Sequence, residues 1–289
     1  MQWKGTEFVR PHSVRVDAAD NVWLVDDCAN TVTKCDRNGK RLMMLLPSGV
    51  VLHDPVEMAA AAGREHAPAV PAFAGGLFNR PTDVAVAPSG DFFVTDGYGN
   101  SRVHHFAPDG RHIKSWGTPG TDAGALSLPH HVVMHGGDVV VADRENSRVQ
   151  VFSTDGNFKS AFHAHRAVAL ASANGQLYVA EHGAATRVHR GDGIDALDTW
   201  TPNMGHRICI FDTDTAGLAP PARVATLGAP TPGERPGQLN WPHGIAVDSR
   251  GSVYAAEVSF CECGIFQSPH AREMVSLRKW ERQETRSNK

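Results

Sequence analysis

The chain has 289 residues, 41% of them hydrophobic and 20% charged, with both signs interspersed, which excludes a largely disordered protein. Its 28 basic against 31 acidic residues give a net charge of −3, without the basic surplus expected of a protein whose main partner is nucleic acid. No apolar run reaches the roughly 18 residues of a membrane-spanning helix, and Met1–Gly5 lacks the apolar core of a secretory signal. The expectation is a monomeric protein with neither a membrane nor a nucleic-acid partner, cytoplasmic, or secreted if the N-terminus is truncated.

Internal repeats dominate the chain. The first copy, 11-PHSVRVDAADNVWLVDD-27, reads Pro, one variable residue, an alternating apolar strand, a turn, and a second apolar strand ending in Asp. Residues 47–79 follow as an insertion rich in Pro, Ala and Gly, with Val56–Arg64 a candidate helix. The second copy, 81-PTDVAVAPSGDFFVTDG-97, continues through strands at Ser101–Phe106 and His112–Gly117, joined by a Pro-Asp-Gly turn. The third copy is 129-PHHVVMHGGDVVVADR-144. The fourth and weakest is 166-RAVALASANGQLYVAEH-182, where Arg166 replaces the Pro. Stretches 186–205 and 216–238 read as excursions before the fifth copy, 242-PHGIAVDSRGSVYAAEV-258.

Four short antiparallel strands per unit, repeated, predict an all-β protein: a β-propeller forming one domain over 1–289. At about 45 residues per blade the length suits six blades. Five are legible, so residues 1–10 and the tail 259–289 supply the remaining strands or one blade is incomplete. The five cysteines, Cys28, Cys35, Cys209, Cys261 and Cys263, do not form the paired CxxC spacing of a zinc ribbon, and read as reduced structural thiols.

One repeat position carries the functional reading. The residue after the opening Pro is His12, Thr82 and His130 in the first three units, Ala167 in the fourth and His243 in the fifth. In a six-fold ring, alternate blades lie a third of a turn apart, so the innermost strands of units one, three and five would aim three imidazoles at one point. Three protein nitrogens with a fourth position open is the ligand set of catalytic zinc, although imidazole also suits copper, iron and nickel. His131 should point to the opposite side of its strand by the two-residue period. His182 and His206 are candidates for the channel mouth.

Phe78-Asn79-Arg80-Pro81-Thr82-Asp83-Val84-Ala85-Val86 and Val94-Thr95-Asp96-Gly97-Tyr98-Gly99-Asn100-Ser101-Arg102 resemble the peptidyl-α-hydroxyglycine α-amidating lyase family. So do Leu128-Pro129-His130 and Val141-Ala142-Asp143-Arg144-Glu145-Asn146-Ser147-Arg148-Val149-Gln150. The resemblance runs over residues 10–162 and returns at 239–258. It implies a six-bladed propeller of NHL type that cleaves the C–N bond of a peptidyl-α-hydroxyglycine, giving an amidated peptide and glyoxylate. It further implies zinc held by His12, His130 and His243, a catalytic Tyr98, and Arg144 binding the substrate carboxylate.

Several positions depart from that pattern. Gly244 stands where the family has an acidic calcium ligand, so one calcium carboxylate is lost; the Val14 carbonyl could still contribute, and calcium as a second cofactor is in doubt. Gly99 stands in place of a disulfide cysteine. No second substrate arginine is found before residue 10, and Trp241 brings bulk next to the third Pro-His pair. A metal-dependent lactonase or cyclic-ester lyase, and a non-catalytic NHL interaction module, stand as alternatives. In either enzyme reading the partner is a small-molecule or peptide substrate.

Overall fold

The computed structural model describes residues 8–54, 56–58, 76–183, 185–189, 195–200, 205–213, 220–259 and 271–283. They form an all-β propeller-type chain in two compact units, Met1–Ala161 and Phe162–Lys289. No helix among the described residues is long and apolar enough to cross a membrane. Of the candidate helix, Val56–Met58 is helical and 59–64 lie outside the described residues, as do Cys261 and Cys263.

The first unit holds three antiparallel meanders. The first sheet runs β1 (Pro11–Val16), β2 (Val22–Asp26), β3 (Thr31–Cys35), β4 (Arg41–Leu45) and β5 (Val51–Leu52), so the start of the presumed insertion adds a fifth strand. The second is β6 (Asp83–Val86), β7 (Phe92–Asp96), β8 (Arg102–Phe106) and β9 (His112–Trp116). The third is β10 (Pro129–His135), β11 (Asp138–Asp143), β12 (Arg148–Phe152) and β13 (Phe158–His163).

In the second unit, β14 (Ala167–Ala173) and β15 (Gln176–Glu181) pair directly. The hairpin of β16 (Ala185–His189) and β17 (Asp195–Trp200) then intervenes before β18 (Arg207–Asp212) and β19 (Ala222–Leu227) complete that sheet. The excursion at 186–205 is therefore largely this hairpin, and the one at 216–238 contains the outer strand of the fourth sheet. The last sheet is β20 (Pro242–Val247), β21 (Val253–Glu257) and β22 (Leu277–Trp280), the third strand coming from the tail. Among the described residues this makes five blades, where the repeat arithmetic gave six. Division by an average blade length counts the inserted hairpin β16–β17 as though it were part of a blade.

Period-two alternation explains the stacking of blades. On β7, Phe92 and Val94 face the first blade and pack with Trp23, Val25, Val32 and Met43. Phe93, between them, faces the third blade and packs with Val132, Val141 and Phe152. Strands buried on both faces lose the simple apolar–polar alternation, hence the near-continuous apolar run at 92–94. In the second unit, Val168, Ala169 and Tyr178 pack with Ile245, Val253 and Ala255 in the same way.

A buried acid closes the second strand of every blade. Asp26, Asp96, Asp143, Glu181 and Glu257 are each less than a tenth exposed. Each accepts a backbone N–H from the segment entering its own blade: Val9 (2.7 Å), Asn79 (3.0 Å), Ser127 (2.6 Å), His165 (3.2 Å) and Trp241 (3.0 Å), respectively. These charge-assisted bonds fix where the innermost strand begins, and so fix the residue after the opening Pro.

Candidate functional site

That residue sits on a β-bulge. Pro11 pairs with Asp26 and Ser13 with Val25, leaving His12 as the extra residue. The same offset leaves His130 extra between Pro129 and His131, and His243 extra between Pro242 and Gly244. A bulge re-aims a side chain away from the alternating faces of its strand, and bulges recur beside active sites for that reason. In the fourth blade the offset falls between Ala167 and Ala169. The equivalent of the histidines there is Val168, not Ala167. With Arg166 in place of Pro, the sequence alignment slipped by one residue.

In the first unit the structure brings His12, His130, Tyr98 and Arg144 together. The rings of His12 and His130 lie 4.9 Å apart. Nδ1–H of His12 donates to the Thr82 carbonyl (2.7 Å), which leaves the lone pair on Nε2. The Thr82 hydroxyl donates in turn to the Pro129 carbonyl (2.8 Å), tying the strand starts of successive blades together. The Tyr98 hydroxyl stands 3.0 Å from Nε2 of His12 and 3.2 Å from Nε2 of His130. Burial lowers the His12 pKa against the opposing effect of the Thr82 carbonyl, so the ring is neutral, as a metal ligand must be.

Tyr98 is positioned by two glycines. A Cβ at Gly97 would overlap the Pro129 carbonyl, and one at Gly99 would overlap the Asn79 side chain. Gly99 is thus a packing requirement here. Burial pushes the Tyr98 phenol up, against the pull of Arg144, Arg10 and Arg80. These guanidinium carbons lie 6.0, 5.6 and 4.6 Å from the ring centre. Arg144 gives Nε to Glu145 (2.8 Å), and its terminal nitrogens make no protein hydrogen bond among the described residues.

Sequence reasoning missed Arg10 and Arg80, having looked for a second arginine only before residue 10. The available signal was their shared place immediately before the opening Pro of two consecutive repeats. His131, by contrast, turns to a structural cluster with Arg15 and the buried Asp83, whose carboxylate also accepts the Val132 N–H (2.9 Å).

In the second unit, the His243 ring lies 6.4 Å from that of His182. Trp241 packs against both His182 (4.6 Å) and His206 (5.1 Å), so the bulk noted next to the third Pro-His pair is seated on the two histidines read as mouth residues. Cys28, Cys35 and Cys209 are free thiols, the last two buried.

Comparison with known proteins adds the repeat type and a set of relatives. The NHL repeat model matches residues 78–106 and 126–152, the second and third blades. Peptidyl-glycine α-amidating monooxygenase B of Xenopus laevis is 28% identical over 284 residues, 94% of this chain and 28% of its own length. Peptidyl-α-hydroxyglycine α-amidating lyase 1 of Drosophila melanogaster is 33% identical over 173 residues, 56% of this chain and 28% of its own. The chain thus spans little more than a quarter of the length of either relative. Among solved structures, a streptogramin B lyase matches 95% of this chain and 70% of its own with a TM-score of 0.53 and 14% identity, a likeness of fold alone.

Fold and repeats together define an NHL-repeat β-propeller. Within that class, the relatives that the chain resembles include proteins named peptidyl-α-hydroxyglycine α-amidating lyase.

Proposed function

We propose that the protein is a zinc-dependent lyase that cleaves the C–N bond of an acyl- or peptidyl-α-hydroxyglycine, releasing an amide and glyoxylate. The observation that carries this reading is the Tyr98 hydroxyl, within hydrogen-bond reach of Nε2 of both His12 and His130. The two imidazoles fit a zinc site: they are nitrogen donors, His12 is neutral, and its tautomer is set by the Thr82 carbonyl. His243, on the matching bulge of β20, is the proposed third ligand. When bound there, zinc supplies a Lewis acid that lowers the cost of removing the substrate hydroxyl proton.

The remaining work falls to the chain's own side chains. The two terminal nitrogens of Arg144 clamp the substrate carboxylate. As its phenolate, Tyr98 takes the hydroxyl proton and becomes the phenol, the C–N bond breaks as the carbonyl of glyoxylate forms, and the phenol returns that proton to the departing amide nitrogen. Burial outweighs the three guanidinium groups around the ring and holds the phenol above its usual value, so the proton-accepting phenolate would depend on the positive charge of a bound zinc ion. Calcium has no part in this proposal, because Gly244 offers no carboxylate.

The deciding assay sets glyoxylate release from a simple acyl-α-hydroxyglycine beside hydrolysis of a lactone. Glyoxylate release by the wild type, lost on His130→Ala, supports the lyase. Lactone hydrolysis without glyoxylate release would replace it.

A further inference from the structure

Arg10 and Arg80 occupy the same repeat position and close on one carboxylate. Arg10 donates Nε to Asp27 at 2.6 Å and a terminal nitrogen as well; Arg80 donates Nε at 3.3 Å and a terminal nitrogen at 2.8 Å. The Asp27 side chain is fully buried, whereas those of Arg10 and Arg80 are 49% and 35% exposed. The acid lies behind and the cations look outward. Two guanidinium charges against one carboxylate leave a surplus of one. The other terminal nitrogen of each arginine makes no protein hydrogen bond among the described residues. Both groups pack on the ring of Tyr98. Arg144, the third cation on that ring, is held by a different acid, Glu145.

Resting on the lyase reading above, we infer that Arg10, Asp27 and Arg80 form a second anion seat beside the reaction centre, and that the preferred substrates are acyl-α-hydroxyglycines whose acyl group ends in a carboxylate of its own. A substrate with one carboxylate satisfies Arg144 and leaves the Arg10–Arg80 surplus uncompensated. A substrate with two satisfies both. The buried Asp27 holds the two planar forks in place before any ligand arrives, so little side-chain freedom is lost when an oxyanion binds. Arg80, nearest the ring, is the residue that sets this specificity.

The test compares succinyl-α-hydroxyglycine with butyryl-α-hydroxyglycine, nearly equal in size and different in terminal charge. Glyoxylate release gives the ratio of kcat/KM. Calorimetry with the unreactive N-succinylglycine and N-butyrylglycine gives the ratio of affinities. The wild type should favour the succinyl compound about tenfold in both at low ionic strength, and less as salt is added. Arg80→Gln should bring both ratios close to one, and Arg80→Lys should restore part of the preference. A wild-type affinity ratio near or below one, or a preference that survives Arg80→Gln in a folded protein, overturns the inference. If neither substrate yields glyoxylate while N-succinylglycine still binds preferentially, the lyase reading falls and the anion seat stands.

Discussion

Replacing Tyr98 by Phe removes one oxygen and keeps the ring on which Arg10, Arg80 and Arg144 pack. The lost contacts are those at 3.0 and 3.2 Å to His12 and His130. The single hydroxyl proton can be donated to only one of them, a bond worth about 0.5–1.5 kcal/mol to stability, so Tm should fall by only a few degrees. The chemical step should suffer far more. Removal of a positioned acid–base group lowers kcat by about 10²–10⁴-fold, equivalent to about 3–5 kcal/mol of barrier. Because Arg144 still holds the carboxylate, KM should change little. The assay is steady-state glyoxylate release, with zinc content and Tm measured on the same sample. A Tyr98→Phe enzyme whose kcat stays within about threefold of wild type, at unchanged zinc content, would refute the acid–base role.

Arg144→Gln removes a charge-assisted clamp worth about 1.5–3 kcal/mol. It should therefore lower kcat/KM at least tenfold, mainly through KM, and equal KM values would contradict the clamp. Asp83 gives a prediction in acid. Burial alone would push its carboxyl up, but Arg15, His131 and Ser13 outweigh it and hold the group well below the usual carboxylate range. Its contribution to stability is therefore complete above the unfolded value near 4 and lost as pH falls below it. Asp83→Asn should be less stable at neutral pH and lose less on acidification, so that the two Tm curves converge; parallel curves would argue against the linkage. Phe92 is fully buried, stacked on Phe106 at 4.9 Å and tilted against Trp23 at 4.7 Å. Phe92→Ala should cost about 3–5 kcal/mol by denaturant unfolding, and a cost below about 1 kcal/mol would mean that the interface between the first two blades collapses around the void.

Much of the fold was legible because the blade is a local object. Its strands are adjacent in sequence, its turns carry Asp-Gly and Ser-Gly, and its opening Pro and closing acid mark each copy. What the sequence could not express was unequal spacing. The β16–β17 hairpin separates β15 from β18, and β5 and β22 come from stretches without repeat character. The blade count and the extent of the insertions suffered accordingly. Val168 was missed in favour of Ala167 because a bulge shifts register by one, and only pairing reveals it.

At the candidate site, His12, His130, Tyr98 and Arg144 were readable from repeat position and family motifs. The Arg10–Asp27–Arg80 cluster was not. It joins residues far apart in the chain: their shared place before the opening Pro marks the two arginines, but only the structure shows that both close on one buried acid.

The central claim is that imidazoles on the Pro-His bulges hold a catalytic zinc ion. Elemental analysis of the purified wild type beside His12→Ala, His130→Ala and His243→Ala, with folding checked by circular dichroism, tests it directly. The account predicts about one zinc per chain in the wild type, and loss of that ion with retention of fold in each variant. A wild type that retains no transition metal after zinc loading, or variants that keep a full complement, would contradict it.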